Sequence, residues 1–226
     1  MAEDIQVAID GPASAGKSTV AKLVAKRFKY VYCDTGAMYR AITWLALDHQ
    51  LAINDVDAIS ELAKHATIEF KPGEEEQRVF VNGTEVTKDI RGNAVSKNVS
   101  AVSAIPAVRT EMTRQQREIA KKGGIVMDGR DIGTTVLPNA EVKIFLVASA
   151  HERARRRYEE NQEKGIHTGT LAELQAAIEL RDKKDSTRKV SPLVQAADAI
   201  KLDSTNLTID QVVDKISAII TKKINN

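Results

Sequence analysis

The stretch from Gly11 to Ser18 reads GPASAGKS and contains the residue types that bind a polyphosphate. It fits the pattern G-x-x-x-x-G-K-[ST], in which glycines let backbone N–H groups curl around phosphate oxygens. Lys17 is placed to neutralise the β- and γ-phosphates, and the Ser18 hydroxyl is placed to reach Mg²⁺. An apolar strand pattern precedes the loop and a helical pattern follows it, so a positive helix end adds to the anion site. The loop predicts a site for ATP formed by Gly11, Pro12, Ala13, Ser14, Ala15, Gly16, Lys17, Ser18 and Thr19.

Two further polar stretches follow apolar runs, CDTGAMYR at Cys33–Arg40 and MDGRDIG at Met127–Gly133. Arg40 and Arg130 are expected near the carboxyl ends of core strands, where open parallel sheets bind ligands. The planar fork of arginine suits phosphate oxygens, so these residues predict a second anion site for a phosphoryl acceptor. No N-K-x-D motif for reading guanine is present, and the chain length favours a small-molecule kinase over a motor.

Two carboxylates are candidates for supporting the metal of the loop, Asp34 and Asp128, and the sequence does not choose between them. Asp34 has a second interpretation, because an aspartate just before a helical pattern is a favoured N-cap.

The segment ERARRRYEENQEKG places four arginines within five positions of a predicted helix. Arg153, Arg156 and Arg157 can point roughly one way at 3.6 residues per turn, and Arg155 points elsewhere. One interpretation is a lid that closes over the phosphates and adds cations, with Arg157 as a catalytic residue. The alternative is a solvated helix face whose arginines pair with nearby glutamates.

Five short apolar runs predict the parallel strands that position these residues: Ile5–Ile9, Tyr30–Tyr32, Ile125–Met127, Val142–Val147 and Ala199–Leu202. Helical patterns lie between them, so we expect an α/β fold with helices on both faces of a five-stranded parallel sheet. The segment Thr67–Gly92 breaks this alternation with three β-like runs and the tight-turn pair Asn82–Gly83. It predicts a small antiparallel sheet inserted into the α/β core.

The composition sets limits on the class of protein. The chain has 226 residues, of which 42% are hydrophobic and 28% charged, and its net charge is only +2. No apolar run approaches the ~20 residues of a membrane-spanning helix, and the small net charge argues against nucleic acid or anionic lipid as a partner. The single cysteine, Cys33, forms no internal disulfide and is expected to be buried. We expect a cytoplasmic protein, and the lack of a heptad seam or an obvious apolar patch favours a monomer.

Five stretches resemble those of bacterial cytidylate kinases, in the same order: IDGPASAGKST, DTGAMYRA, MDGRDIGTTVLP, KIFLVAS and RDKKDSTRKVSPL. The resemblance covers nearly the whole chain. It implies a P-loop nucleoside monophosphate kinase fold that transfers a phosphoryl group from ATP to CMP or dCMP. It also implies one domain, with a core at 1–66 and 93–226, a monophosphate-binding insertion at about 67–92 and a helical lid at about 153–170.

The resemblance also implies roles for individual residues. Arg40, Arg130 and Arg188 would hold the acceptor phosphate, with Arg130 also catalytic beside Lys17. Thr35 and Tyr39 would contact the acceptor nucleotide, and Arg181 and Asp185 its sugar hydroxyls. Ser100, Arg109 and Asp131 would read the cytosine, because a carboxylate accepts from N4 while serine and arginine donate to N3 or O2.

Two other classes of function stay open at this point. A P-loop protein with basic patches could bind RNA or DNA, although its arginines lack interleaved aromatic residues. The acceptor could also be a different small molecule, such as shikimate or gluconate, although the base-reading trio and the β-rich insertion argue against it.

Overall fold

The computed structural model describes residues 4–73, 77–163, 165–166 and 169–225. Its strands are β1 (Gln6–Asp10), β2 (Val31–Asp34), β3 (Ile68–Lys71), β4 (Arg78–Val81), β5 (Thr84–Glu85), β6 (Ile125–Gly129), β7 (Val142–Val147) and β8 (Ile200–Asp203). Its helices are α1 (Lys17–Phe28), α2 (Thr35–Asp48), α3 (Val56–His65), α4 (Asn93–Val102), α5 (Pro106–Ala120), α6 (Ala150–Glu163), α7 (Leu171–Thr187) and α8 (Ile209–Ile224). A 3-10 turn covers Asp89–Arg91 and a π-helical turn covers Ile132–Val136.

The predicted parallel sheet is confirmed, with the strand order β2-β6-β1-β7-β8. β7 has the predicted bounds, and the other strands differ from the prediction by one or two residues at their ends. The shift has a physical reason, because backbone pairing continues beyond the apolar run. Asp10, for example, still pairs with Gly129 at the end of β1 and β6.

The chain divides into two compact units. The P-loop unit comprises Met1–Tyr32 and Lys122–Asn226, and the inserted unit comprises Cys33–Lys121. In the P-loop unit, buried side chains from β1, α1, β7 and α8 form one apolar cluster that includes Val7, Val24, Ile144 and Ile216. This cluster supports the strand ends from which the phosphate loop leaves the sheet.

The inserted unit contains the second sheet, in which β3, β4 and β5 are antiparallel as expected. Asn82 and Gly83 form the tight turn with φ of 49° and 81°, the left-handed backbone that a two-residue hairpin of this kind requires. The unit extends well beyond the predicted insertion Thr67–Gly92, and Glu74–Glu76 of that insertion lie outside the described residues. Its assignment to monophosphate binding stays a prediction.

The segment predicted as a lid contains most of α6 and its connection to α7. Thr170 begins α7 with a capping box, in which its side chain accepts from the Glu173 amide and the Glu173 side chain accepts from the Thr170 amide. Lys164, His167 and Thr168 of the predicted lid lie outside the described residues. The mobility of this segment stays a prediction.

Two expectations from composition can be compared directly with the structure. Cys33 is fully buried, as its position beside an apolar run predicted. Among the described residues, no helix has both the length and the apolar composition needed to cross a membrane.

Candidate functional site

The phosphate loop joins β1 to α1 in the P-loop unit, as the motif predicts. Gly11 has a φ of 152°, and a Cβ at this residue would lie only 2.0 Å from the Leu146 carbonyl oxygen. Gly16 has a φ of 84° and precedes the first turn of α1, whose N–H groups have no partner within the helix. Both glycines are therefore required by the backbone conformation of the loop.

Lys17 is buried, and its Nζ donates a hydrogen bond to the Pro12 carbonyl at 2.7 Å. Burial, followed by repulsion from the charge of Arg130, lowers the pKa of Lys17 to about 7, and the Asp128 carboxylate offsets part of the shift. The ammonium is thus held in an environment with too little negative charge to balance it. A bound polyphosphate would supply that charge.

Ser18 and Asp128 are hydrogen-bonded to each other, because the Ser18 Oγ donates to Asp128 Oδ2 at 2.9 Å. The Tyr32 hydroxyl donates to the other carboxylate oxygen, Oδ1, at 2.8 Å and fixes its orientation. A hydroxyl and a carboxylate provide the oxygen ligands that hard divalent cations prefer. Asp34, the other candidate, accepts a hydrogen bond from the Ala37 amide at 2.9 Å. It is therefore the N-cap of α2, as its second interpretation predicted.

Arg130, Asp131, Asp185 and Arg188, four of the residues predicted to bind the acceptor, form two ion pairs in the P-loop unit. Arg130 Nε donates to Asp185 Oδ2 at 2.9 Å, and Arg188 Nη2 donates to Asp131 Oδ1 at 3.4 Å. Arg181 lies on α7 one turn before Asp185, and its charge also contributes to the lowered pKa of Lys17. These residues lie far apart in sequence, so the fold brings together what the motifs identified separately.

The sequence did not predict the role of Asp10, which anchors this cluster. Its buried carboxylate accepts from the Ile132 and Gly133 amides at 2.8 and 2.7 Å. Burial raises the pKa of Asp10 to about 6, although the two amide hydrogen bonds oppose the shift. The end of β1 thereby fixes the segment that follows Arg130 and Asp131. Its position directly before the phosphate loop was the only sequence signal for such a role.

The other predicted acceptor residues belong to the inserted unit. The Arg109 guanidinium lies 5.1 Å from the centre of the Tyr39 ring, and its Nη1 donates to the Ser103 carbonyl at 3.1 Å. Arg40 Nη1 donates to the Ile90 carbonyl and to Ser96 Oγ, both at 3.0 Å. Tyr39 and Arg109 are therefore neighbours, whereas Arg40 is bonded to residues near the start of α4. Thr35 is buried in the first turn of α2, and Ser100 lies on α4.

The arginines of α6 have different partners and do not share one direction. Arg155 is exposed and pairs with Glu152 and Glu159, as the alternative of a solvated helix face predicted. Arg156 donates to Glu152 and to the Ser204 carbonyl, and Arg157 donates to Glu160 at 3.0 Å. Arg153 is buried and donates to the Ala13 carbonyl of the phosphate loop at 2.9 Å. The catalytic role of Arg157 stays a prediction.

A parallel sheet, a phosphate loop with a buried lysine and a nearby group of paired arginines define the class of a P-loop kinase. A family model described as cytidylate kinase matches residues 7–222. The chain belongs to this family, as the motifs indicated.

Relatives of the chain cover nearly its full length. A cytidylate kinase of Limosilactobacillus reuteri (strain DSM 20016) is 70% identical over 222 residues, which are 98% of this chain and 97% of that protein. A cytidylate kinase of Limosilactobacillus fermentum (strain NBRC 3956 / LMG 18251) is 66% identical, with 98% of both chains covered. A solved structure of an uncharacterised protein from Eubacterium ventriosum ATCC 27560 has a TM-score of 0.51 at 14% identity, covering 96% of this chain and 98% of that one. At that identity the similarity concerns the fold alone.

Proposed function

We propose that the chain binds ATP at the phosphate loop and transfers its γ-phosphoryl group to CMP or dCMP, giving CDP or dCDP. The observation that carries the proposal is that an intact phosphate loop and two arginine–aspartate pairs belong to the same compact unit. These pairs are Arg130 with Asp185 and Arg188 with Asp131. Membership of the cytidylate kinase family supports the choice of acceptor.

The transferred phosphoryl group spreads negative charge over its oxygens in the transition state, so the protein must supply cations and positioning. Lys17 and Arg130 serve this role, because both are largely withdrawn from water and the charge of Arg130 disfavours the Lys17 ammonium. A negatively charged reactant between such groups relieves their repulsion. Arg157 is the further cation that we assign to the reaction.

Ser18 and Asp128 would hold Mg²⁺, since their oxygens suit this ion and Ser18 belongs to the phosphate loop. When bound, the ion would neutralise charge on the β- and γ-phosphates. Asp34 fits this role less well, because its carboxylate already caps α2.

For the acceptor, we assign the phosphate to Arg40, Arg130 and Arg188, and the sugar hydroxyls to Arg181 and Asp185. Ser100, Arg109 and Asp131 read the cytosine, and Thr35 and Tyr39 contact the nucleotide. The burial of Arg109 and Asp131 supports their part of this assignment. A charged group that is shielded from water discriminates strongly against a base that leaves it unpaired.

A coupled assay with ATP and a panel of acceptors tests the proposal. The expected order is CMP and dCMP well above UMP, with no use of AMP, GMP, shikimate or gluconate. Lys17→Ala should abolish the transfer while circular dichroism shows an unchanged fold. Equal use of all acceptors would refute the base-reading assignment. Tight RNA or DNA binding with steep salt dependence, in place of CMP turnover, would favour the nucleic-acid alternative.

A monomeric state and a cytoplasmic location are also part of the proposal. Light scattering on the purified protein determines the first.

A further inference from the structure

The backbone of Ala13, within the phosphate loop, is bonded on both sides to side chains from distant parts of the P-loop unit. The Ala13 amide donates to Asp182 Oδ1 at 3.0 Å, and the Ala13 carbonyl accepts from Arg153 Nη1 at 2.9 Å. Arg153 also donates to Asp182 Oδ2 and, through Nε, to the Ala148 carbonyl. We call these four residues, Ala13, Ala148, Arg153 and Asp182, the loop clamp.

The loop clamp is a largely buried polar network. The Arg153 side chain is 7% exposed and the Asp182 side chain 20%. Charge-assisted hydrogen bonds are stronger than neutral ones, and they are weakly screened where water is excluded. If one partner is removed, the other charge stays buried without compensation, so the two residues act as a unit.

The loop needs such support because its backbone is strained next to Ala13. Ser14 has a φ of 59°, in the left-handed region of the backbone. Residues other than glycine adopt this region at a cost in conformational free energy. A strained conformation persists only where the surrounding structure determines it. The amides that bind phosphate must also point inward before the ligand arrives, because preorganised donors need no rearrangement when it binds.

The loop clamp also connects the phosphate loop to the residues assigned to the acceptor. Asp182 and Asp185 lie about one turn apart on α7, so their side chains are neighbours on the helix. Asp182 binds the loop at Ala13, while Asp185 accepts from Arg130. One helix therefore contacts both the loop and the arginine that follows β6.

We propose that Asp182 and Arg153 are positioning residues that hold the phosphate loop in the conformation that receives the phosphates of the donor nucleotide. The inference rests on the proposed function and adds two residues that contact the loop backbone. Both residues are bonded to the loop backbone at Ala13, so we expect the effect of replacing them to pass through the loop. Loss of the loop clamp weakens donor binding and leaves the binding of the acceptor nearly unchanged.

The test measures ADP binding by calorimetry without acceptor, together with KM for ATP and for CMP. Asp182→Ala and Arg153→Ala should each weaken ADP binding and raise KM for ATP about tenfold, the effect of one lost charge-assisted bond. KM for CMP should change less than about twofold in both variants. The double variant should be little worse than either single variant, because residues of one network are not additive.

Conservative variants and controls separate positioning from general destabilisation. Asp182→Asn keeps an oxygen for the Ala13 amide, and Arg153→Lys keeps a cation, so each should recover part of the affinity for ADP. Thr208→Ala removes the cap of α8 and lowers stability without touching the loop clamp. Arg155→Ala removes an exposed arginine of the same helix. Both controls should bind ADP as the wild type does.

The outcomes are distinguishable. A wild-type protein that neither binds ADP nor phosphorylates CMP refutes the proposed function itself. If the wild type does both and Asp182→Ala binds ADP equally well, the loop clamp does not position the loop. A parallel rise of KM for ATP and for CMP would also overturn the inference. It would show that Asp182 and Arg153 stabilise α7 as a whole and do not specifically position the phosphate loop. If the alanine variants fail to fold, the Asp182→Asn and Arg153→Lys variants provide the same comparison.

Discussion

Lys17 should take up a proton when a nucleotide binds, because its ammonium is disfavoured in the free loop. Burial, and then the charge of Arg130, lowers the pKa of Lys17 from 10.5 to about 7. The phosphates of ADP or ATP add negative charge beside the ammonium and raise this pKa again. Between pH 7 and pH 10.5, the free protein therefore holds Lys17 mostly neutral and the nucleotide complex holds it charged.

The size of the effect follows from this shift. At pH 8 roughly a tenth of the free protein carries the ammonium, and at pH 9 roughly a hundredth. Affinity for ADP should therefore fall about tenfold per pH unit in this range. The phosphates of ADP are already ionised there, so their own titration adds little.

Calorimetry of ADP binding at pH 8.5 in buffers with different ionisation enthalpies counts the protons taken up. We expect about one proton per ADP for the wild type and none for Lys17→Met, whose weaker affinity should not depend on pH. Heats that do not depend on the buffer would refute the lowered pKa. The same uptake in Lys17→Met would assign the proton to another group.

The lowered pKa of Lys17 also makes the stability of the fold depend on pH. Folded Lys17 binds its proton less tightly than the unfolded chain does, so between pH 7 and pH 10.5 the unfolded chain holds more protons. The contribution of Lys17 to stability therefore rises with pH in this window. Lys17→Met should be more stable than the wild type at pH 7, and denaturant unfolding should show that the difference shrinks toward pH 10.

Three further predictions concern the assigned residues and segments. Asp131→Ala should reduce the ratio of kcat/KM for CMP over UMP about tenfold, whereas Arg40→Ala should weaken both acceptors alike; an unchanged ratio would make Asp131 structural. Asp128→Asn keeps an acceptor for Ser18 but loses the charge, so half-maximal velocity should need more Mg²⁺, and an unchanged requirement would remove Asp128 from the metal site. Hydrogen exchange should slow in Thr67–Gly92 and Arg153–Thr170 when nucleotides bind, and unchanged exchange in both segments would exclude closure around the ligands.

Local patterns were sufficient to predict the architecture. The phosphate loop requires a strand before it and a helix after it, and both are present. The pair Asn82–Gly83 predicted its turn because few residues adopt left-handed backbone without strain. Strand ends were less accurate, because backbone pairing continues into polar residues such as Asp34.

The polar contacts of the site could not be predicted in the same way, because they join residues that are distant in sequence. The bond between Ser18 and Asp128 spans 110 positions and favours Asp128 over Asp34 as the metal candidate. Arg153 looked like a lid cation, since helix geometry alone placed it with Arg156 and Arg157. Its burial against the phosphate loop depends on how α6 packs, which periodicity does not reveal.

The charges of the P-loop unit account for both its buried polar network and its affinity for phosphate. Asp182 and Arg153 form an ion pair with each other, and both are bonded to the loop backbone at Ala13. Asp128 compensates the charge of Lys17 only in part, and Arg130 and Arg181 further disfavour the Lys17 ammonium. The part of this positive charge that is not compensated therefore lies at Lys17, next to the loop backbone to which the loop clamp is bonded. A bound triphosphate supplies the missing negative charge and stabilises the Lys17 ammonium. The free energy that burial of Lys17 costs the free protein therefore contributes to the affinity for the donor.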